Sequence, residues 1–243
     1  MSNNVYVDRS LEFKTGAAIK ANVKGNLSTE RMCSVDWFDH KAIDTTNEYT
    51  GAAGSAVSGG GVSGLTLTTS ATDNVVYYFA TPLIFDITQS PVIETKLHLV
   101  DVSGTFVYFG FSDAVSETSP AATIDADGGT LTNAATDAAG FVIDADLGSS
   151  SIWCASVKTQ SAGGTVQSVD TTLDWADTIS YVLRVALDTS GNARFYVDGV
   201  QKGYIALAVA DVPLCAIINF GTRAADGANV VYARYLKKWA DVA

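Results

Sequence analysis

Cationic side chains, proline, paired cysteines and long apolar runs are scarce in this chain of 243 residues, and each scarcity excludes something. The 15 Lys and Arg stand against 26 Asp and Glu, a formal charge of −11. Phosphate backbones are recognised by clustered cations, so the balance argues against a nucleic-acid partner. No apolar stretch reaches the roughly 18 residues of a membrane-spanning helix. The start, Met-Ser-Asn-Asn-Val-Tyr-Val-Asp-Arg, has neither the basic nor the apolar region of a secretory leader. Cys33, Cys154 and Cys215 are odd in number, far apart and without metal-ligand spacing. They predict buried free thiols, and synthesis in a reducing cytoplasm, rather than a disulfide scaffold. With 47% hydrophobic and 17% charged residues, the chain is too apolar to be disordered. Its length suits one large all-β domain or two small ones.

The charge is unevenly placed. Residues 51–150 hold Lys96 alone against 11 acidic side chains, whereas the segments on either side are close to balanced. A solvated acidic face explains this; cation binding or a basic partner is the sharper alternative.

What is present reads as β almost throughout. Val92 to Val100 alternates, with Ile93, Thr95, Leu97 and Leu99 on one phase and Glu94, Lys96 and His98 on the other, which predicts a half-buried strand. Thr105 to Phe111 follows after Asp-Val-Ser-Gly, a plausible hairpin connection. Val75 to Phe79, Phe141 to Ile143, Ile152 to Lys158, Gly164 to Val169, Leu214 to Gly221 and Val230 to Leu236 are further strands. Tyr181 to Asp188, Asn192 to Asp198 and Val200 to Ala206 form a run of hairpins turned by Thr189-Ser-Gly191 and Asp198-Gly199. Thr50 to Ser70, rich in Gly, Ser, Ala and Thr, reads as a loop or linker, as does Ala121 to Ala139. Residues 1–32 read either as an arm reaching out of a domain spanning 33–243, or as edge strands at Val5 to Val7 and Leu11 to Phe13.

The hairpin Asp188-Thr-Ser-Gly-Asn with Phe195-Tyr-Val-Asp-Gly199 resembles a recurrent C-terminal element of the concanavalin A-like jelly roll of laminin-G domains, legume lectins and glucanases. Trp37-Phe-Asp39 with Ile43-Asp44, Phe109-Gly-Phe-Ser-Asp113-Ala, and Phe141-Val-Ile-Asp144 before Ile152-Trp153 are similar to jelly-roll structural proteins of tailed bacteriophages, over roughly residues 36–236. The resemblance implies an all-β jelly-roll sandwich with an extended N-terminal arm. It further implies a virion protein, most of all a capsid decoration protein. Lys14, Lys20, Lys24 and Arg31 would then dock the arm on a major capsid protein or another virion protein, as a homo-oligomer for which a shell favours trimers. Such a protein is made in the host cytoplasm and resides on the capsid surface. A carbohydrate-binding, lectin-like module of a virion or tail is the alternative. One fold hosts many functions, so the choice lies with the site.

Hydrolases on this fold carry Glu-x-Asp-x-x-Glu or Glu-x-Asp-x-Glu on one strand, which sets two carboxyl groups at the separation that retaining cleavage needs. Neither pattern occurs here; the five glutamates stand singly. With only His40 and His98 as histidines and no Gly-x-Ser-x-Gly elbow, the expectation is no enzyme. Asp125 and Asp127, in Asp-Ala-Asp-Gly-Gly, offer hard oxygen ligands for calcium, with an ordinary acidic turn as the plainer reading. Trp153 and Trp175 are the candidate platforms for a glycan, although both also fit a packed interior.

Overall fold

The computed structural model describes residues 31–38, 49–51, 57–61, 64–114, 123–148, 150–223 and 229–241. Among these there is no α-helix, and hence no helix long and apolar enough to cross a membrane. Seventeen strands follow in order: β1 (Arg31–Trp37), β2 (Thr50–Gly51), β3 (Val57–Gly61), β4 (Gly64–Thr68), β5 (Val76–Ala80), β6 (Val92–Leu99), β7 (Thr105–Ser112), β8 (Ile124–Asp127), β9 (Thr130–Asn133), β10 (Ala138–Asp144), β11 (Ser151–Val157), β12 (Gln167–Asp174), β13 (Ser180–Leu187), β14 (Ala193–Val197), β15 (Val200–Ile205), β16 (Cys215–Thr222) and β17 (Val230–Asp241).

Fifteen of them build two antiparallel sheets, and β8 and β9 pair as a separate hairpin. Sheet I runs β15-β14-β13-β6-β17-β4-β3, and sheet II runs β12-β11-β10-β7-β16-β5-β2. In sheet I the long β17 pairs β4 along its first half and β1 along its second, so β1 takes up the edge where β4 stops. The alternation of β6 is the reason it belongs there. Ile93, Thr95, Leu97 and Leu99 are fully buried between the sheets, and Glu94, Lys96 and His98 face outward. Phe195 and Val197 likewise point inward from β14, and Tyr196 outward.

Sheet II differs in being buried on both faces. Val107, Phe109, Phe111, Phe141, Ile143, Ile218 and Phe220 project into the main core, and the alternate residues Phe106, Tyr108, Val142, Ala155, Cys215 and Ile217 form a second core on the far side. The cover there includes Ile124 of β8, Ala135 and the half-buried Leu131 of β9. That explains why β7, β10 and β16 read as unbroken apolar runs, a pattern of strands covered on both faces. Where β15 faces β11 across the sandwich, a Cβ built on Gly203 would lie 2.6 Å from Cys154 Sγ.

Several expectations change. The Asp-Val-Ser-Gly connection is no hairpin: β6 pairs β13 and β17 in sheet I, whereas β7 pairs β10 and β16 in sheet II, so the chain crosses between layers there. Thr50 to Ser70 is not a linker, for it holds β2, β3 and β4, with Leu65 and Leu67 in the core. Ala121 to Ala139 is not a loop, for Ile124–Asp127 and Thr130–Asn133 pair as a hairpin that leads into β10. The strand expected over residues 164–169 lies at Gln167–Asp174. Cys154 and Cys215 are buried free thiols as expected, but Cys33 is exposed. Val5 to Val7, Leu11 to Phe13, Lys14, Lys20 and Lys24 lie outside the described residues; Arg31 opens β1 opposite Asp241.

Candidate functional site

Gly128 and Gly129 have φ of +54° and +85°, the left-handed pair that a two-residue hairpin turn needs. They reverse the chain between Asp127 and Thr130, which are paired. The hairpin so made is tied to sheet II by its own polar atoms. The Ala126 N–H donates to Asp144 Oδ2 at 2.8 Å. Asp125 Oδ2 accepts from Arg223 Nη2 at 2.7 Å.

Arg223 follows directly on β16, its backbone N–H donating to the Gly104 carbonyl at 2.8 Å. Its guanidinium lies 4.8 Å from the Phe106 ring centroid and is almost wholly buried. Nε and Nη2 donate to the two oxygens of Asp144 at 3.1 and 2.9 Å, and Nη1 donates to Asn74 Oδ1 at 2.8 Å. Asp144 has no exposed surface and also accepts from the Asp146 N–H at 3.0 Å. Asp146 Oδ2 stands 3.8 Å from Arg223 Nε.

These contacts place one cation among three carboxylates, and burial dominates the acidity of Asp125 and Asp144. Desolvation pushes the Asp125 carboxyl up to about 6; Arg223 opposes the rise, and Asp144 and Asp127 add to it. Burial raises Asp144 as well, against the pull of Arg223 and of the backbone N–H groups of Ala126 and Asp146. Burial works against the charge of Arg223, but Asp144 and Asp125 outweigh it and hold the guanidinium protonated.

Beside this group opens a cleft of about 400 Å³ lined by Asn74, Asp125, Asp127, Thr132, Asn133, Asp146 and Arg223, with Ala126, Ala134 and Ala162 between them. Asn133 is 3% exposed, and its Nδ2 donates to the carbonyls of Ala135 and Ser161 at 2.7 and 3.1 Å. Its Oδ1 is a buried acceptor without a hydrogen-bond partner. Such an atom is costly unless something donates to it. The lining is rich in hydrogen-bond acceptors, with the Thr132 hydroxyl, the asparagine amide nitrogens and the guanidinium as donors.

The residues singled out from the sequence are thus dispersed or reassigned. Asp125 and Asp127 do share the cleft, but the Asp125 carboxylate is engaged by Arg223. No group of three or more His, Cys, Asp or Glu arranged to hold a metal occurs among the described residues. Trp175 is unsuited to stacking on a sugar: it is 1% exposed in the main core, its Nε1 donates to the Ile179 carbonyl at 3.1 Å, and its ring meets Tyr181 edge-on at 4.9 Å. Trp153 lies against the second core, half-buried, with its Nε1 unpartnered. The two rings therefore belong to different cores and make no shared platform. Sequence reasoning missed Arg223, Asn133 and Asn74 altogether. Arg223 lies 98 residues from Asp125 and 79 from Asp144, so no local spacing announces the group.

The architecture is that of a concanavalin A-like jelly-roll sandwich. It is similar in fold to the laminarinase catalytic domain from Thermotoga maritima MSB8, with a TM-score of 0.60 and 13% identity over 88% of this chain and 99% of that one. It is also similar to a glycoside hydrolase family 16 endo-glucanase from Bacteroides ovatus, with a TM-score of 0.58 and 12% identity over 84% and 98%. A third likeness is to the Bacillus licheniformis β-glucanase, with a TM-score of 0.57 and 12% identity over 85% and 97%. No protein-family model and no curated protein matches the sequence. The expectation of no enzyme is corrected by these structures. The fold is shared with catalytic proteins, and the missing Glu-x-Asp patterns exclude one arrangement of carboxylates rather than catalysis. None of them carries a phage origin.

Proposed function

We propose that the protein binds carbohydrate, with the saccharide in the cleft of Asp125, Asp127, Asn133 and Asp146. The observation that carries the reading is the cleft walled by Asp125, Asp127 and Asp146, whose lining includes Asn133 with its unpartnered Oδ1. Sugar hydroxyls are donors that such acceptors lack, and placed polar groups of this kind orient a ligand. The solved structures of like fold include a laminarinase and two glucanases, which supports the choice of ligand class. Calorimetric titration with neutral gluco-oligosaccharides tests it. Binding that weakens at least tenfold in Asp127→Ala and Asp146→Ala is expected, and no heat from any of a panel of neutral oligosaccharides would refute it.

The raised pKa of Asp125 favours a second reading, glycoside hydrolysis. A carboxyl group poised near 6 can stay protonated and deliver its proton to a leaving glycosidic oxygen. Release of reducing ends from β-glucans, abolished by Asp125→Asn with oligosaccharide binding retained, is the result this reading requires.

The capsid-decoration role rests on the phage resemblance and on Lys14, Lys20 and Lys24, outside the described residues. Nothing in the sandwich favours it over the saccharide reading.

A further inference from the structure

The outer face of sheet I has the opposite character from the cleft. Strand register sets Lys237 of β17, Glu94 of β6, Arg184 of β13 and Tyr196 of β14 in one row. A neighbouring row sets Trp37 of β1 against Tyr235 of β17, and places Lys96 beside Val182. A third brings Arg194 of β14 opposite Tyr204 of β15. Arg234 stands exposed at the irregularity where β17 passes from Ala233 to Leu236.

Five cations, Lys96, Arg184, Arg194, Arg234 and Lys237, thus surround Glu94 on one sheet face of a chain whose net charge is −11. Lys237 is neutralised by Glu94 at 2.9 Å, and Arg194 meets Asp188 at 3.4 Å. Lys96, Arg184 and Arg234 make no ion pair among the described residues. The Arg184 Cζ stands over the Tyr196 ring, 4.3 Å from its centroid, a cation–π contact that helps to hold the guanidinium on this face. The face also registers its own field: burial first, then Arg234 and Lys96, lower the pKa of His98. Aromatic rings border the cations on both sides. Trp37 is 48% exposed at the β1 edge and Tyr204 46% exposed at the β15 edge, five strand steps apart, or about 24 Å.

We propose that this face docks a linear polysaccharide bearing carboxylate groups, such as a chain of uronic acids. Guanidinium forks without partners match carboxylates in a bidentate manner. Exposed Trp and Tyr rings offer apolar surface to sugar rings, and an open sheet face accommodates a chain rather than a compact ligand. The proposal is independent of the cleft and stands or falls without it.

Oligogalacturonate is the probe, titrated into the full chain at low and at moderate salt, with Lys96→Gln/Arg184→Gln/Arg234→Gln as the variant. Arg234 is exposed and Lys96 and Arg184 are half-buried on the sheet face, and an unchanged thermal midpoint establishes that the variant folds. The expected result is binding that weakens as salt rises and falls at least tenfold in the triple variant, while Asp127→Ala leaves it unchanged. Absent binding, or equal binding by the triple variant, overturns the proposal. Displacement of the oligogalacturonate by an equal concentration of single-stranded DNA also overturns it, because the face would then read charge without regard to sugar.

Discussion

Asp125, on the hairpin of β8 and β9, and Arg223, at the end of β16, are joined by a hydrogen bond of 2.7 Å between Oδ2 and Nη2. The same Nη2 donates to Asp144 on β10 at 2.9 Å, so one guanidinium fastens the hairpin, β16 and β10 together. The second core of sheet II and the wall of the cleft both depend on this fastening.

Removing the guanidinium leaves Asp144, which has no exposed surface, and Asp125 without their cation. Breaking a buried pair from one side costs about 3–5 kcal/mol. Arg223→Ala is therefore expected to lower the stability from urea denaturation by that amount. A loss below about 1 kcal/mol would show that the network carries little of the fold.

Asp125 also sets a pH dependence of unusual sign. Its carboxyl titrates at about 6 when folded and near 3.9 when unfolded, so between those values the folded state binds more protons. Stability from this group is present at the low end of the window and lost as pH rises through 6, by up to about 3 kcal/mol. The raised Asp144 acts in the same direction. Asp125→Asn keeps the neutral form throughout, so its stability relative to the parent rises between pH 4 and pH 7. A constant difference across that range would contradict the assignment.

Gly203 and Cys154 test the packing of the two sheets. A Cβ at 203 would stand 2.6 Å from Sγ and 3.1 Å from Cβ of Cys154. Gly203→Ala is expected to destabilise by about 1–3 kcal/mol through overpacking. Cys154→Ala removes the sulfur, so the double variant loses less than the sum of the singles. Additive losses would place the strain elsewhere.

Calcium is expected to leave the thermal midpoint where chelator leaves it, because the Asp125 carboxylate is taken by Arg223 and no cluster of three ligating side chains stands among the described residues. A rise in midpoint on adding calcium would return Asp125 and Asp127 to the role of ligands.

The strands of this sandwich were legible where one face is wet. The alternation over Val92 to Leu99 and Ser180 to Leu187 fixes which side chains enter the core, and the Asp198-Gly199 turn shows in φ of +50° and +81°. Strands with little side chain to alternate were not. β3 is Val-Ser-Gly-Gly-Gly, and β8 and β9 alternate small or acidic residues that resemble a loop. Partners across the sandwich cannot be read from local pattern either, which is why the β6–β7 connection resembled a hairpin. The acidic cleft was half legible. Asp125-Ala-Asp127 showed as a pair, but the arginine that engages Asp125 comes from the distant end of β16.

The most direct test of the central claim is calorimetric titration of neutral gluco-oligosaccharides into the parent chain and into Asp127→Ala/Asp146→Ala. The account predicts saturable binding to the parent and at least a tenfold loss in the variant, whose thermal midpoint is unchanged. Equal binding by the two proteins would place the saccharide somewhere other than this cleft and contradict the account.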